Sequence, residues 1–491
     1  MPAIRAADLE GLFGDLVATV VPRGWRAGQR GLLALARVAL RRVYADDETA
    51  ELRGIASATG LPLYLLVAFN VLLDLLLGCT SGGVRMAYCD GDAEGDAGER
   101  AGAARGARAA RKPVAAAAAI PSKSRIVHFR TLDWDMDELR HLIVELDFVR
   151  AAGGPVVATT VGYFGYVGAL TGVRRGLSLS LNFRPTHDRS TWRKRAAYRW
   201  HQAMVLLGRR PSISSTLRYY LLGPAAPGTE PLRRRRDGRA AVEHPAASSS
   251  PLAPGEVKPD TPNAELENSH EQQDPHDLNI DSLLAELTHS PSTAAYLIFS
   301  TAQRTYAVEK DHLAAVVRSD GTLMTTCNHD VGDESAPERV AAAAAAVAET
   351  GMVSLVEDSM DRKRTVRKVW RAAVRRQREQ QARRSAVLRR RGHARSSPPE
   401  ASSQLRARQD PIEQDQRHEI AEQEEQDRRV PLPADGVLID DVLKMLGHEY
   451  ITHDQTHYAV VMDPLTGRVL WRRAYALDEL GSDNSGSERD G

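Results

Sequence analysis

Aromatic side chains are scarce in this sequence, 5% of 491 residues, and cysteine is scarcer, three in all. Hydrophobic residues reach 42%, but alanine supplies much of that. Little large apolar area is therefore available per residue, and the folded part is expected to be shorter than the chain. Cys79, Cys89 and Cys327 cannot form a disulfide framework and lack the spacing of a zinc site. They suit a reducing compartment, or one thiol with a task. Neither sign of charge dominates: 65 Lys and Arg stand against 64 Asp and Glu, a formal +1. That excludes a globally basic nucleic-acid binder and an acidic solvating protein. Residues 1–30 hold no apolar core behind a basic start, so no secretory signal is read. The one long apolar run, Leu61 to Leu77, is 17 residues and carries Asn70 and Asp74. It reads as a buried or amphipathic helix rather than a membrane span.

Three stretches without aromatics read as low-complexity insertions: 90–120, 224–275 and 372–431. None buries enough apolar surface to offset its ordering entropy, so all three are expected to be disordered. Residues 362–395 hold fifteen Lys and Arg and one Glu, followed by an acidic stretch at 413–427. Such a block is ordinarily a solvated helix or linker; the sharper reading is a patch for anionic lipid or nucleic acid. Removing roughly 140 residues of insertion leaves about 350, enough for one domain rather than three.

The remaining blocks are patterned. Residues 9–78 read as helices, with Pro62 opening the apolar one. Strand patterns follow at 79–88, 122–130, 141–150, 156–164 and 176–183, then at 294–300, 305–310 and 322–328. Residues 190–222 read as helical, with Trp192, Trp200 and Tyr219 as core anchors. Residues 437–475 give a short helix and a closing hairpin that turns at Asp463-Pro464-Leu465-Thr466-Gly467. Helices, then runs of strands, then helices indicate an α+β fold rather than a doubly wound one.

A free cysteine is usually a small buried hydrophobe. Cys79 is set apart by its place at the switch from a helical to a strand block, after Gly78 and before Thr80-Ser81. A self-cleaving N-terminal nucleophile needs that setting. The thiol attacks the Gly78 carbonyl, water releases the upstream segment, and Cys79 is left with a free α-amine. An α-amine ordinarily titrates at about 7.7–8.0, so it can act as the thiol's base. In Arg130-Thr131-Leu132-Asp133, Arg130 could lower the thiol pKa and Asp133 could hold the amine, although an Arg-x-x-Asp is by default a surface ion pair. Asn328, at a strand end, could offer its amide N–H to an oxyanion; a turn-forming Asn-His-Asp is equally natural. The glycines from Gly162 to Gly172, with Tyr166 and Gly168 among them, form no phosphate loop. They point to tight backbone packing or an apolar substrate wall. His453 and His457 are four apart but lie in a loop leading into a strand, which disfavours a metal pair.

Taken in order, these motifs resemble the acid ceramidase and N-acylethanolamine acid amidase family of N-terminal-nucleophile hydrolases. The resemblance runs from Glu51-Leu52-Arg53-Gly54 through Phe69-Asn70, Cys79-Thr80-Ser81, Arg130-Thr131-Leu132-Asp133 and Leu146-Asp147-Phe148. It continues through Gly165 to Gly172, Leu179-Ser180-Leu181-Asn182, the strand ending at Asn328, and Met462-Asp463-Pro464. The insertions are unmatched, and Phe183 follows Asn182 where relatives carry an acidic residue. The resemblance implies an αββα sandwich and cleavage between Gly78 and Cys79. Residues 1–78 would then form an alpha-subunit-like helical segment, and 79–491 a beta-subunit-like catalytic domain paired with it. It implies hydrolysis of a fatty-acyl amide, ceramide or an N-acylethanolamine, with no cofactor and no metal. Cys79 would be the nucleophile, Arg130 and Asp133 its partners, Asn328 the oxyanion donor, Arg362 a further arginine, and Tyr166 and Gly168 substrate contacts.

The first insertion accounts for the separation of 51 positions from Cys79 to Arg130 if it sits at a hairpin tip, where doubling a loop costs only about 0.6 kcal/mol. A lysosome-like or vacuolar site follows from the resemblance, whereas the lack of a signal fits the cytoplasm. A peripheral membrane contact is compatible with a lipid substrate, and nucleic acid is disfavoured. A non-catalytic binding scaffold of the same descent is the competing reading.

Overall fold

A computed structural model describes residues 34–72, 78–88, 123–134, 136–223, 279–335, 355–396 and 436–476. The stretches 90–120 and 224–275, and Cys89, lie outside these. Helices α1 (Asp46–Thr59) and α2 (Leu63–Leu72) precede the strands β1 (Gly78–Tyr88), β2 (Lys123–Asp133), β3 (Ile143–Val149), β4 (Val156–Tyr163), β5 (Thr171–Arg174) and β6 (Leu177–Phe183). Helices α3 (Trp192–Leu206), α4 (Ile213–Leu222) and α5 (Ile280–His289) follow, then β7 (Ala295–Ser300), β8 (Thr305–Lys310), β9 (Ala315–Asp320) and β10 (Leu323–Thr326). The last elements are α6 (Leu355–Ser396), α7 (Ile439–Leu446), β11 (Thr456–Asp463) and β12 (Arg468–Ala474).

The strands form two antiparallel sheets, ordered β10-β1-β2-β11-β12 and β3 through β9 in sequence. Strand alternation explains how they stack. In β6, Leu179 and Leu181 face one way and join a core with Leu217 and Leu221 of α4 and Leu283 and Leu287 of α5. Ser178 and Ser180 face the other way, onto His128 of β2, at 3.1 and 2.8 Å. The first sheet repeats the logic. Val84, Val127 and Phe129 pack outward against Val366 and Ala373 of α6 and Val442 and Met445 of α7. Helices therefore cover both outer faces, giving the α+β, αββα layer order expected. The two sheets approach closely: a Cβ at Gly83 would lie 1.8 Å from Thr305 Oγ1 of β8, so only glycine fits there.

Several expectations need correction. β5 and β9 carry no strand pattern clear enough to be read from sequence, yet they complete the second sheet. Trp192 and Trp200 are exposed rather than core anchors. The buried stripe of α3 is Tyr198, His201 and Val205, and Trp200, two residues on from Tyr198, falls on the far side of the helix. The stretch 372–431 is helical in its described part, because α6 runs on to Ser396; residues 397–431 lie outside the described residues. Arg, Gln and Glu are good helix formers, and the apolar positions Val366, Val369, Trp370 and Ala373 anchor the helix before the polar run begins.

A buried carboxyl joins the segment upstream of Cys79 to the rest. Glu48 of α1 is buried, accepts from Ser215 Oγ of α4 at 2.6 Å, and lies 4.0 Å from Arg218. Burial raises its pKa to about 7, against smaller opposing effects of Ser215 and Arg218. Between the unfolded value of 4.5 and about 7 the native state keeps a proton that the unfolded chain has lost. This group's contribution is therefore full below 4.5 and lost as pH rises through 7. His128 has the opposite sense: its pKa is lowered to about 3 by burial, then by Arg130, so its contribution is lost as pH falls. Denaturant unfolding at pH 4.5 and pH 7 should accordingly show Glu48→Gln gaining stability relative to the unaltered chain as pH rises, on the order of 3 kcal/mol. An unchanged difference across that window would show that Glu48 is ionised in the fold.

Candidate active site

Sheet register assembles the site. β1 and β2 pair Tyr88 with Lys123 at one end and Cys79 with Leu132 at the other. The first insertion thus leaves from the hairpin tip, ten residues of strand away from Gly78. Ser81 pairs with Arg130, so Arg130 sits on the face of Cys79 one diagonal step away. On the other side Ser81 pairs with Thr326; following that register two residues further brings Asn328 beside Cys79.

The side chains meet as this placement requires. Arg130 Nη2 donates to Cys79 Sγ at 3.1 Å, and its Nη1 to the Leu170 carbonyl at 2.6 Å. The Cys79 N–H donates to Asn328 Oδ1 at 2.9 Å, and Arg362 Nη2 donates to the same oxygen at 3.0 Å. Arg362 Nη1 reaches Asp133 Oδ2 at 2.5 Å, and Thr456 Oγ1 donates to Asp133 Oδ1 at 2.8 Å. Asn182 Nδ2 donates to the carbonyls of Thr326 and Cys79 at 3.0 and 3.4 Å, while its oxygen accepts from Ser81. Cys79, Arg130 and Asn328 are 0% exposed, so the site is closed in the unbroken chain. Phe69 of α2, upstream of Cys79, packs in the same apolar cluster as that cysteine.

Burial dominates the electrostatics. It pushes the Cys79 thiol up to about 11, against a smaller pull downward from Arg130. In the closed chain Cys79 is therefore a thiol and not a thiolate at neutral pH. Burial would also raise Asp133, but His453, Arg362 and Thr456 overcome it and hold the carboxyl below its usual range. His453, with Nε2 at 3.6 Å from Asp133, is raised by that carboxylate despite its own desolvation.

Cys79, Arg130, Asp133, Asn328 and Arg362 are thus brought together, and Gly78 adjoins them in β1. One N–H of the Asn328 side-chain amide is donated to the Phe183 carbonyl at 2.8 Å, and the amide oxygen faces the Cys79 nitrogen. Tyr166 and Gly168 lie in closed packing. Tyr166 stands edge-on to Phe69 at 5.8 Å, and a Cβ at Gly168 would meet Ser214 Oγ at 2.5 Å. His453 and His457 face different partners, Asp133 and the Tyr163 hydroxyl, the latter at 2.8 Å. Among the described residues no group of three His, Cys, Asp or Glu is placed to hold a metal ion. No helix among them is long and apolar enough to cross a membrane. Thr456, His453 and Ser359 were not legible as site residues. Asn182 was, in principle, because the Leu-Ser-Leu-Ser-Leu-Asn alternation puts it on the polar face of β6.

No protein-family model matches the chain. Over 154 residues it is 30% identical to the N-acylethanolamine-hydrolyzing acid amidase of Caenorhabditis elegans, covering 29% of this chain and 33% of that protein. Acid ceramidase of Mus musculus is likewise 30% identical over 154 residues, covering 28% of this chain and 30% of that protein. Acid ceramidase of Rattus norvegicus is 30% identical over 149 residues, with 27% and 28% covered. The chain therefore matches about a third of the length of these curated relatives. A solved structure of the Caenorhabditis elegans amidase ortholog aligns with 72% of this chain and 95% of its own, at a TM-score of 0.35 and 14% identity. The resemblance carried by the sequence motifs is borne out by the curated relatives: the chain is similar to members of the acid ceramidase and N-acylethanolamine acid amidase family.

Proposed function

We propose that this protein is an amidohydrolase that cleaves an N-acyl amide through Cys79, after cutting its own chain between Gly78 and Cys79. The observation that carries the reading is the set of contacts converging on one residue: Arg130 at 3.1 Å from the Cys79 sulfur, and Asn328 Oδ1 at 2.9 Å from its nitrogen. Any buried backbone N–H takes an acceptor, but a guanidinium on the sulfur is a contact that a structural cysteine does not need. The names of the similar proteins, N-acylethanolamine-hydrolyzing acid amidase and acid ceramidase, supply the substrate class.

In the first reaction the thiol adds to the Gly78 carbonyl and the C–N bond breaks, moving the acyl group to sulfur. Water then hydrolyses the thioester, releasing residues 1–78 as a carboxylate and leaving Cys79 with a free α-amine. In the second reaction that amine takes the thiol proton, and the thiolate attacks the substrate carbonyl. Arg130 favours the anionic sulfur. The α-ammonium, held by Asn328 Oδ1 and near Asp133, returns its proton to the leaving amine. Water, deprotonated by the same α-amine, cleaves the thioester to fatty acid and free enzyme. Ceramide is the substrate we favour, with an N-acylethanolamine as the alternative; residues 1–78 and 79–491 would remain together as a heterodimer.

Intact-mass analysis of the purified chain, incubated with ceramide and separately with an N-acylethanolamine, tests this. The expected result is two fragments split between Gly78 and Cys79 and fatty-acid release faster from ceramide. Faster release from the ethanolamide would reassign the substrate. Two fragments with no release from either lipid would leave a self-processed binding scaffold.

A further inference from the structure

Helix α6 brings two side chains to the site from consecutive turns. Arg362 bridges Asp133 and Asn328, as described. Ser359, one turn earlier, touches neither Cys79 nor Asp133, yet its hydroxyl is fully buried against the same loop. Ser359 Oγ accepts the Asn328 backbone N–H at 2.6 Å and stands 2.6 Å from His329 Nδ1.

The Glu334 end fixes the direction of this chain. A carboxylate only accepts, so His329 Nε2, 3.3 Å from Glu334 Oε1, carries the ring proton. In a neutral ring Nδ1 is then bare, and the Ser359 hydroxyl, whose oxygen takes the Asn328 N–H, gives its own proton to it. Lys363 Nζ, at 2.5 Å, and Arg367, at 3.3 Å, keep that carboxylate in place. Burial, then Lys363, lowers the His329 pKa to about 4, which agrees with a neutral ring.

What this chain holds is Asn328, two residues past the end of β10 and outside its ladder. Its Oδ1 is the acceptor for the Cys79 nitrogen. We propose that Ser359, backed by His329, is a positioning pair: by fixing the Asn328 backbone it sets the acceptor that aims the nitrogen of Cys79. The geometry stands by itself, while the catalytic consequence rests on the amidohydrolase reading above. Misplacement of a reacting group by about 1 Å can cost on the order of 100-fold, so a residue that never meets substrate can govern turnover.

The test uses the full chain with four substitutions: Ser359→Ala, Ser359→Thr, His329→Leu and His329→Asn. Amide hydrogen exchange is followed at the segment containing Asn328, together with kcat and KM for amide hydrolysis. Ser359→Ala and His329→Leu should lower kcat about tenfold or more with KM unchanged, and should speed exchange at Asn328. Ser359→Thr keeps the hydroxyl, and His329→Asn keeps an acceptor near the Nδ1 position. At least one of these two should retain most of kcat and of the exchange protection. Wild-type kcat in Ser359→Ala, exchange that loosens evenly across both sheets, or a rise in KM alone would overturn the proposal. Should the unaltered chain hydrolyse no amide, the amidohydrolase reading fails by itself. The exchange measurement then decides this one: faster exchange confined to Asn328 in Ser359→Ala and restored in Ser359→Thr supports it, and unchanged protection overturns it.

Discussion

Cys79→Ala is expected to abolish amide hydrolysis, a loss of about 10⁴-fold or more, and to leave one unbroken chain on intact-mass analysis. Both outcomes follow from one sulfur. Alanine removes the atom that would attack the Gly78 carbonyl and the atom that would carry the acyl group. The fold should persist, since the substitution deletes a single buried atom next to Arg130 and adds no charge. Cys79→Ser separates the two reactions less cleanly, because its hydroxyl is far less acidic than a thiol; slow or absent cleavage is expected there. The closed site adds a second readout. With the thiol raised to about 11 by burial, Cys79 in the uncut chain should resist iodoacetamide at pH 7. It should become reactive once cleavage frees its nitrogen and the site opens. Undiminished hydrolysis by Cys79→Ala would remove Cys79 from the mechanism and the self-cleavage scheme with it.

Register made part of this site legible in the sequence. Alternation in residues 79–88 and 122–130 is enough to pair them as a hairpin, and the hairpin alone places Arg130 diagonal to Cys79. The strand 322–328 pairs on the opposite edge and brings Asn328 alongside. Long-range contacts that depend on loops and helix packing were not legible. Thr456 and His453 reach Asp133 because β11 adds to the edge of β2, a pairing with no local signature. Ser359 arrives at the head of a helix whose polar continuation reads as disorder by composition. The same limit explains the tryptophans of α3. Residue type predicts that Trp192 and Trp200 are buried, but the helix face turned inward is set by Tyr198 and Val205. Tertiary packing decides which stripe of a helix becomes core.

Asp133→Asn is the second large effect, and here stability and activity separate. Asp133 is 1% exposed and Arg362 is 5% exposed. Their 2.5 Å contact is a buried ion pair whose carboxylate also takes Thr456 Oγ1 at 2.8 Å. An amide at this position keeps the shape but removes the charge, leaving the Arg362 guanidinium desolvated without a counter-ion. Breaking one side of such a pair typically costs about 3–5 kcal/mol, far above an exposed pair. Denaturant unfolding should show a loss of that order in Asp133→Asn. A double change, Asp133→Leu with Arg362→Met, should recover much of it, because two apolar side chains leave no orphaned charge. Activity should not return with stability. Asp133 lies beside the Cys79 nitrogen through Arg362 and Asn328, and the double variant has neither the carboxylate nor the guanidinium that orders Asn328 Oδ1. Turnover in both variants is therefore expected to fall by about 100-fold or more, as for other misaligned sites. Assaying the folded fraction distinguishes the two effects. Full activity in the stabilised double variant would make the pair a structural brace with no part in aiming the nucleophile. Wild-type stability in Asp133→Asn would mean that water reaches Arg362, contrary to its burial.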